Sequence, residues 1–130
     1  MSDTETSILI IDDEPPLLRM MSLYLGRKGY RVTVAGSAPK ARAELAAAPG
    51  GYAAVVLDAT VPGGSPSDLG SEILRTDSSV RILVASGYPV DVSALEAAAP
   101  GRVAFLHKPF SPEMLANAVR SLLATEEKSV

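Results

Sequence analysis

The sequence predicts an α/β protein with a single doubly wound, five-stranded parallel sheet and helices on both faces. Three observations predict this class. Five short runs rich in valine, isoleucine and leucine alternate with segments that have helical spacing. Several of these runs are continuously apolar, as expected of strands that are covered on both faces. The chain has 130 residues, which is about one ordinary domain and enough to bury a core.

The predicted strands are the five apolar runs. Each run is short, and a segment with helical spacing separates it from the next run. Short right-handed crossovers between such strands wrap them into one parallel sheet. The runs are Ile8 to Ile11, Arg31 to Ala35, Ala54 to Leu57, Val80 to Ala85, and Val103 to Leu106.

The first and last helical segments have the clearest apolar faces. Leu17, Leu18, Met21 and Leu25 fall on one face before Gly29. The last segment repeats this spacing, and a serine followed by a proline is a favourable N-cap and first-turn pair at its start. The residues of that last segment are Leu115, Val119 and Leu122, after Ser111 and Pro112. Weaker helical patterns span Ala41 to Ala48, Leu69 to Leu74, and Val92 to Ala98.

Composition narrows the class of protein and its location. The net charge of -3 and the pI near 5.1 give no electrostatic footprint for nucleic acid, so we expect no direct nucleic-acid binding. The chain has no cysteine, which excludes disulfides and thiolate metal sites. No apolar run could span a bilayer, so we expect a cytoplasmic protein without membrane insertion. We expect one domain over residues 8–124, with flexible tails at residues 1–7 and 125–130.

Polar residues follow four of the predicted strands. In an open parallel sheet, ligands bind in the crevice at the carboxyl ends of the strands. We therefore expect these residues to meet in one crevice. They are Asp12-Asp13-Glu14, Asp58, Ser86-Gly87-Tyr88 and Lys108-Pro109-Phe110.

This set of side chains points to phosphoryl chemistry. Clustered carboxylates repel one another, and a hard divalent cation such as Mg2+ relieves that repulsion. The ammonium of Lys108 suits a phosphate, and the hydroxyl of Ser86 can donate to a phosphate oxygen. An aspartate in such a site can attack phosphorus and form an acyl phosphate.

Together these motifs resemble the receiver (response-regulator) domains of two-component signalling. The resemblance rests on Asp12-Asp13-Glu14 after the first strand, Asp58 with Pro62 four residues on, Ala85-Ser86-Gly87, and Lys108-Pro109-Phe110, and it covers residues 8–123. Each motif alone is weak, but four in this order at consecutive strand ends are specific. The resemblance implies the flavodoxin-like strand order 2-1-3-4-5.

The resemblance also implies a role for each residue. Asp58 accepts the phosphoryl group, with Lys108 and Ser86 as its phosphate-binding partners. Mg2+ is held by Asp12, Asp13, Asp58 and the backbone carbonyl of Thr60. Phe105 occupies the position at which the family has its switch aromatic residue. The Lys108-Pro109 bond is expected to be cis. As an aromatic residue in an apolar strand, Phe105 is equally well read as plain core.

Two residues are predicted to set the lifetime of the acyl phosphate. Hydrolysis needs a water molecule in line with the bond from Asp58 to phosphorus, and Thr60 and Tyr88 are placed to admit or exclude it. Tyr88 is bulky enough to cover the approach, and Thr60 lacks an amide or carboxylate to orient water. We therefore expect slow self-dephosphorylation. An alternative of equal weight is that Tyr88 belongs only to a partner-binding surface.

The sequence departs from the family pattern after the acceptor. Family members usually have methionine where Val61 stands and glycine where Pro66 stands. We therefore expect the third helix to be short, shifted or partly irregular.

The resemblance implies a regulatory phosphoacceptor rather than an enzyme. The donor would be a sensor histidine kinase or a histidine phosphotransfer protein, and the output would be altered binding of an unidentified downstream protein. The chain could act alone or be part of a hybrid histidine kinase. The alternative is an aspartate-nucleophile phosphatase of the haloacid-dehalogenase type, for which a general acid is missing. A dinucleotide-binding fold is excluded because no Gly-x-Gly-x-x-Gly follows a strand.

Overall fold

The computed structural model describes residues 6–60, 66–87 and 89–124, apart from the side chains of residues 66 and 67, and over these residues strands and helices alternate. The strands are β1 (Ser7–Ile11), β2 (Arg31–Ala35), β3 (Ala54–Asp58), β4 (Arg81–Ser86) and β5 (Val103–His107). The helices are α1 (Pro15–Arg27), α2 (Ala38–Ala47), α3 (Pro66–Thr76), α4 (Ser93–Ala98) and α5 (Pro112–Ala124). None of the described helices is long and apolar enough to cross a membrane.

All strand pairings of the sheet are parallel, in the order β2-β1-β3-β4-β5. This confirms the predicted fold class and the strand order that the resemblance implied. Every residue of β3 and β4 is buried, as expected for central strands covered on both faces. Asp58 pairs with Ala85, and Ser86 pairs with His107, so the ends of β3, β4 and β5 lie side by side.

Strand bounds differ from the predicted ones by about one residue at several ends. β4 begins at Arg81 rather than Val80, although Val80 is buried. Ser7, which we expected in the N-terminal tail, is the first residue of β1, and its carbonyl accepts a hydrogen bond from the Ala53 amide. Apolar residues in the sequence indicate which positions are buried. The end of a strand depends instead on whether the backbone amide and carbonyl groups form hydrogen bonds with a neighbouring strand. Residues 1–5 and 125–130 lie outside the described part of the chain, so the domain limits stay a prediction.

The helices form where the apolar spacing predicted them. In α1, Met21 and Leu25 are buried, while Leu17 and Leu18 are partly buried. In α5, the hydroxyl of Ser111 accepts a hydrogen bond from the Met114 amide, which confirms the predicted N-cap. The buried face of α5 contains the three predicted residues, Leu115, Val119 and Leu122.

Helix α3 is regular and begins at Pro66, a residue type that suits the first turn. It spans 11 residues, so the expectation of a short third helix is wrong. Gly70 lets it approach α4 closely: a Cβ at this position would lie 3.0 Å from Leu95 Cδ1. Leu95 is the buried residue of α4, so this contact joins the two helices. The residues between β3 and α3, positions 61–65, lie outside the described part.

The sheet separates two hydrophobic cores. The first core lies under α2, α3 and α4 and includes Leu57, Val84 and Leu95, with Phe105 packed against it. The second core lies under α1 and α5 and includes Ile10, Leu83 and Val119. Alternation of side chains along each strand places neighbours on opposite cores.

Candidate functional site

Polar side chains meet at the carboxyl edge of the sheet. Asp12 follows β1, Asp58 ends β3, Ser86 ends β4, and Lys108 follows β5. The backbone ties these ends together: the Ala59 amide donates to the Ala85 carbonyl over 2.9 Å, and the Lys108 amide donates to the Ser86 carbonyl over 2.8 Å. The parallel register therefore builds one crevice from residues that are far apart in sequence.

Lys108 is the centre of this crevice. Its ammonium donates to Asp58 Oδ1 over 2.9 Å and to Asp12 Oδ2 over 3.2 Å. Glu14 Oε1 lies 3.9 Å from the same nitrogen. The side chain of Lys108 is 18% exposed, while those of Asp12 and Asp58 are each only 2% exposed. Two buried carboxylates thus share one ammonium, and one negative charge is left over.

Asp58 has a donor on each carboxylate oxygen. Lys108 contacts Oδ1, and the hydroxyl of Thr60 donates to Oδ2 over 2.9 Å. The predicted acceptor is therefore a buried carboxylate with both oxygens oriented by neighbours. Sequence reasoning placed Thr60 in the site for other reasons and did not predict this hydrogen bond.

Asp12 sits in a less favourable environment for a charge. Burial raises the pKa of its carboxyl, and the negative charge of Asp58 adds to this effect. The hydrogen bond from the Glu14 amide, 3.0 Å long, and the ammonium of Lys108 offset only part of it. The pKa of Asp12 is therefore above its ordinary value.

The pKa of Lys108 reflects the opposite balance. Burial alone would lower it, but the hydrogen bond to Asp58 and the charges of Asp12 and Asp58 prevail. The net pKa of Lys108 is raised, so its ammonium stays charged at neutral pH.

The acidic cluster fits a small divalent cation. One carboxylate oxygen from each of Asp12, Asp13 and Asp58 lies within 4.8 Å of the others. Asp13 is exposed, whereas its two partners are buried. Hard oxygen donors of this kind suit Mg2+, which keeps several of its waters and so favours a site with an open side. The surplus negative charge of the crevice supports the same fit.

Ser86 and Phe105 face the same side of the sheet. Ser86 is 1% exposed, and it stands two residues after Val84, a residue of the first core. The partly buried ring of Phe105 packs against that core. Its centroid lies 5.9 Å from that of the exposed His107, with the rings tilted by 54°. This placement fits both interpretations of Phe105, as a switch aromatic and as core.

The structure thus brings together Asp12, Asp13, Asp58, Thr60 and Lys108, with Ser86 beside them. The Lys108-Pro109 bond is cis, as the resemblance implied. Tyr88, Val61 and Pro62 lie outside the described residues. The influence of Tyr88 on the lifetime of the acyl phosphate therefore stays a prediction. Glu14 was expected at the crevice as part of the acidic run after β1, but the sequence analysis gave it no role; its carboxylate lies 3.9 Å from the ammonium of Lys108.

The sequence matches a family model. The model is described as the response regulator receiver domain, and it matches residues 8–120. This stretch contains all of the strands except the first residue of β1, and all but the last turn of α5.

Curated relatives match over most of this chain. Sensory transduction protein RegX3 of Mycolicibacterium smegmatis is 30% identical over 118 residues, which is 91% of this chain and 50% of that protein. The uncharacterized transcriptional regulatory protein YkoG of Bacillus subtilis is 33% identical over 119 residues, 89% of this chain and 50% of that protein. The chain therefore spans about half the length of these relatives.

Solved structures share the fold at low sequence identity. A CheY-like response regulator receiver domain protein from Methanospirillum hungatei superposes with a TM-score of 0.84 at 22% identity, covering 98% of this chain and 100% of that one. The non-phosphorylated HemR receiver domain from Leptospira biflexa gives a TM-score of 0.80 at 22% identity, covering 92% of this chain and 95% of that one.

Proposed function

The chain belongs to the response regulator receiver domain family, and on that premise we propose that Asp58 takes a phosphoryl group from a phosphohistidine donor in a Mg2+-dependent reaction. The observation that carries the proposal is the placement of Asp58. It is buried, it bonds to Lys108 and it lies in the cluster with Asp12 and Asp13. The chain is then a regulatory domain that phosphorylates itself and slowly loses the group, rather than an enzyme with turnover.

The transfer itself needs a nucleophile and a means of spreading charge. A carboxylate oxygen of Asp58 forms the new bond to phosphorus, while the bond from phosphorus to the donor imidazole breaks and the imidazole keeps the electron pair. The ammonium of Lys108, 2.9 Å from Asp58 Oδ1, is close enough to follow the charge onto the phosphoryl oxygens. The hydroxyl of Ser86 would donate to the same group.

Asp12, Asp13, Asp58 and the backbone carbonyl of Thr60 would hold Mg2+ in this proposal. The cation would offset the charge of the carboxylates and of the incoming phosphate. The surplus of carboxylates over the single ammonium of Lys108 supports this assignment.

The proposed output is a change in a protein-binding face. When the hydroxyl of Ser86 turns toward the phosphoryl group, it leaves space beside the ring of Phe105, and the ring turns inward. The two residues face the same core, which supports this coupling. The face that changes is formed by α4, β5 and α5, and the shift is between two packings of the same elements.

The partners follow from this role. The donor is a sensor histidine kinase or a histidine phosphotransfer protein, and the recipient of the output is a downstream protein that remains to be identified. We propose that this chain makes no direct contact with nucleic acid, since its net charge is -3, and that it acts in the cytoplasm without membrane insertion.

Intact-mass measurement after incubation with acetyl phosphate and Mg2+ tests the proposal. We expect the wild-type chain to gain one phosphoryl group, Asp58→Asn to gain none, and excess EDTA to prevent labelling. Asp91→Asn is the matched control because that aspartate is exposed and outside the crevice. A label that persists in Asp58→Asn contradicts the assignment, and catalytic turnover of a phosphomonoester would favour the phosphatase alternative.

A further inference from the structure

The two oxygens of Asp58 are bound by different kinds of donor. Oδ1 faces Lys108, which also contacts Asp12, so this oxygen is turned toward the acidic cluster. Oδ2 accepts a hydrogen bond from the hydroxyl of Thr60 over 2.9 Å. The carboxylate is thus divided into a cluster-facing oxygen and a threonine-facing oxygen.

We propose that Oδ2 of Asp58 is the attacking oxygen and that the Thr60 hydroxyl restrains it, so that Thr60 slows the acceptance of a phosphoryl group. This inference rests on the proposed phosphorylation of Asp58. It concerns how fast the group is taken up, and it is separate from the predicted influence of Thr60 on how long the acyl phosphate lasts.

The restraint follows from where the charge goes during transfer. Before transfer, the hydroxyl of Thr60 stabilises a full carboxylate through a charge-assisted hydrogen bond. As the new bond to phosphorus forms, negative charge leaves the attacking oxygen and the hydrogen bond weakens. An interaction that is stronger in the ground state than in the transition state raises the barrier. Lys108 has the opposite effect, because its ammonium can move with the charge onto the phosphoryl oxygens.

The neighbouring backbone leaves Thr60 free to release Asp58. Ala59 is buried, and its amide is fixed to the Ala85 carbonyl. Thr60 itself is exposed, so a change of side-chain rotamer breaks the hydrogen bond without moving β3. The exposure also means that water replaces part of the lost bond, which limits the size of the effect.

Labelling kinetics test this inference. The full chain is incubated with acetyl phosphate and Mg2+, so that the new bond to phosphorus forms as acetate leaves, and intact mass is followed with time. Thr60→Val keeps the shape of the side chain and removes the donor, and we expect it to label about three- to tenfold faster than wild type. Thr60→Ser keeps a hydroxyl and should give a clearly smaller gain. Thr33→Val, on the edge strand β2, controls for the same chemical change outside the crevice.

Each result decides between distinct statements. The restraint by Thr60 is refuted if the wild-type chain gains a phosphoryl group and Thr60→Val gains it no faster. It is also refuted if Thr60→Ser gains the group as fast as Thr60→Val. In both cases the proposed function stands. If wild type does not label at all, the proposed function itself fails. Thr60→Ala, read beside the thermal unfolding curve of each variant, separates loss of the hydroxyl from loss of folding and should reproduce the gain of the valine variant.

Discussion

The ammonium of Lys108 donates to Asp58 Oδ1 over 2.9 Å, although 50 residues separate the two along the chain. The parallel register of β3, β4 and β5 creates this contact, since it brings the ends of those strands to one edge. The pairing of β1 with β3 supplies the second contact of Lys108, with Asp12 across the crevice. The ammonium of Lys108 thus binds the two buried carboxylates of Asp12 and Asp58.

Replacing Lys108 with methionine should slow the labelling of Asp58 strongly. The methionine keeps most of the volume of the side chain but removes the charge that follows the phosphoryl group. Loss of one preorganised donor of this kind costs on the order of 100-fold in rate. Labelling with acetyl phosphate is measured by intact mass, with Lys40→Met on the exposed side of α2 as the control. A loss of less than about threefold would mean that Lys108 has no part in the transfer.

Asp12→Asn should stabilise the protein at neutral pH when Mg2+ is removed by EDTA. Burial raises the pKa of Asp12 above its ordinary value of 3.8, so the folded state binds a proton more readily than the unfolded state does. The free energy of unfolding therefore falls as pH rises through the window above 3.8, and asparagine removes this loss. Urea unfolding at neutral and at mildly acidic pH measures the effect, and the advantage of the variant should shrink in acid.

Asp91 provides a control for that experiment, because its pKa is shifted in the opposite direction to that of Asp12. Its carboxylate accepts hydrogen bonds from the hydroxyl and the amide of Ser93, which lower its pKa. The ionised carboxylate of Asp91 therefore stabilises the folded state at neutral pH, and this stabilisation is lost as pH falls through the lowered pKa. Asp91→Asn should therefore not stabilise the protein at neutral pH. Equal gains from both variants would show that net charge, rather than burial, is responsible.

A beryllofluoride phosphate mimic should change NMR shifts well beyond the acidic crevice. If Phe105 turns inward after Ser86 moves, then β5 and α5 experience a different ring-current field and packing. We expect shift changes over residues 103–122 in wild type and none there in Asp58→Asn. Changes confined to the residues around Asp12 and Asp58 would leave phosphorylation without the proposed switch.

Tyr88→Ala should speed the loss of the phosphoryl group. The prediction comes from sequence position, two residues after Ser86, because Tyr88 lies outside the described residues. Removing a bulky ring would open the approach for water in line with the bond from Asp58 to phosphorus. The decay of labelled protein is measured after removal of the donor. An unchanged decay rate would favour the alternative that Tyr88 only contacts a partner.

Gly70→Ala should destabilise the fold, whereas Gly26→Ala should not. A Cβ at Gly70 would lie 3.0 Å and 3.3 Å from the two terminal methyls of Leu95, a buried side chain that would have to shift within the core. Overpacking of this kind costs about 1–3 kcal/mol, part of which the higher helix propensity of alanine offsets. A Cβ at Gly26 meets nothing within 4 Å, so the same change there should gain up to about 1 kcal/mol. Urea unfolding compares the two, and equal effects would contradict the close packing of α3 against α4.

Most of the fold was accessible from sequence because its signals are local. The continuous apolar runs of β3 and β4 and the spaced leucines of α1 and α5 each predict their element without reference to the rest of the chain. The bounds were less accurate, as at Ser7 and Val80, because strand ends depend on backbone partners rather than on side chains. For α3, proline in place of glycine at position 66 suggested irregularity, yet proline is compatible with the first turn of a helix.

The candidate site divides in the same way. The meeting of Asp12, Asp58 and Lys108 follows from strand ends and was predictable. The hydrogen bond from Thr60 to Asp58 was not, because a sequence does not specify which rotamer a short side chain adopts. The 3.9 Å approach of Glu14 to Lys108 likewise depends on the path of the chain into α1. Side-chain geometry within the crevice is therefore what the structure adds.

The two cores on opposite faces of the sheet place Phe105 and α1 on opposite sides of the central strands. Phe105 packs with α4 on one half, whereas Leu17 of α1 and Phe110 at the mouth of the crevice pack on the other. A repacking of Phe105 would act directly on the α4 side and would reach α5 through β5, whereas it would reach α1 only across the buried central strands. The surface of α1 would then keep its shape while the face of α4, β5 and α5 changes, so that one molecule presents a constant face and a variable one.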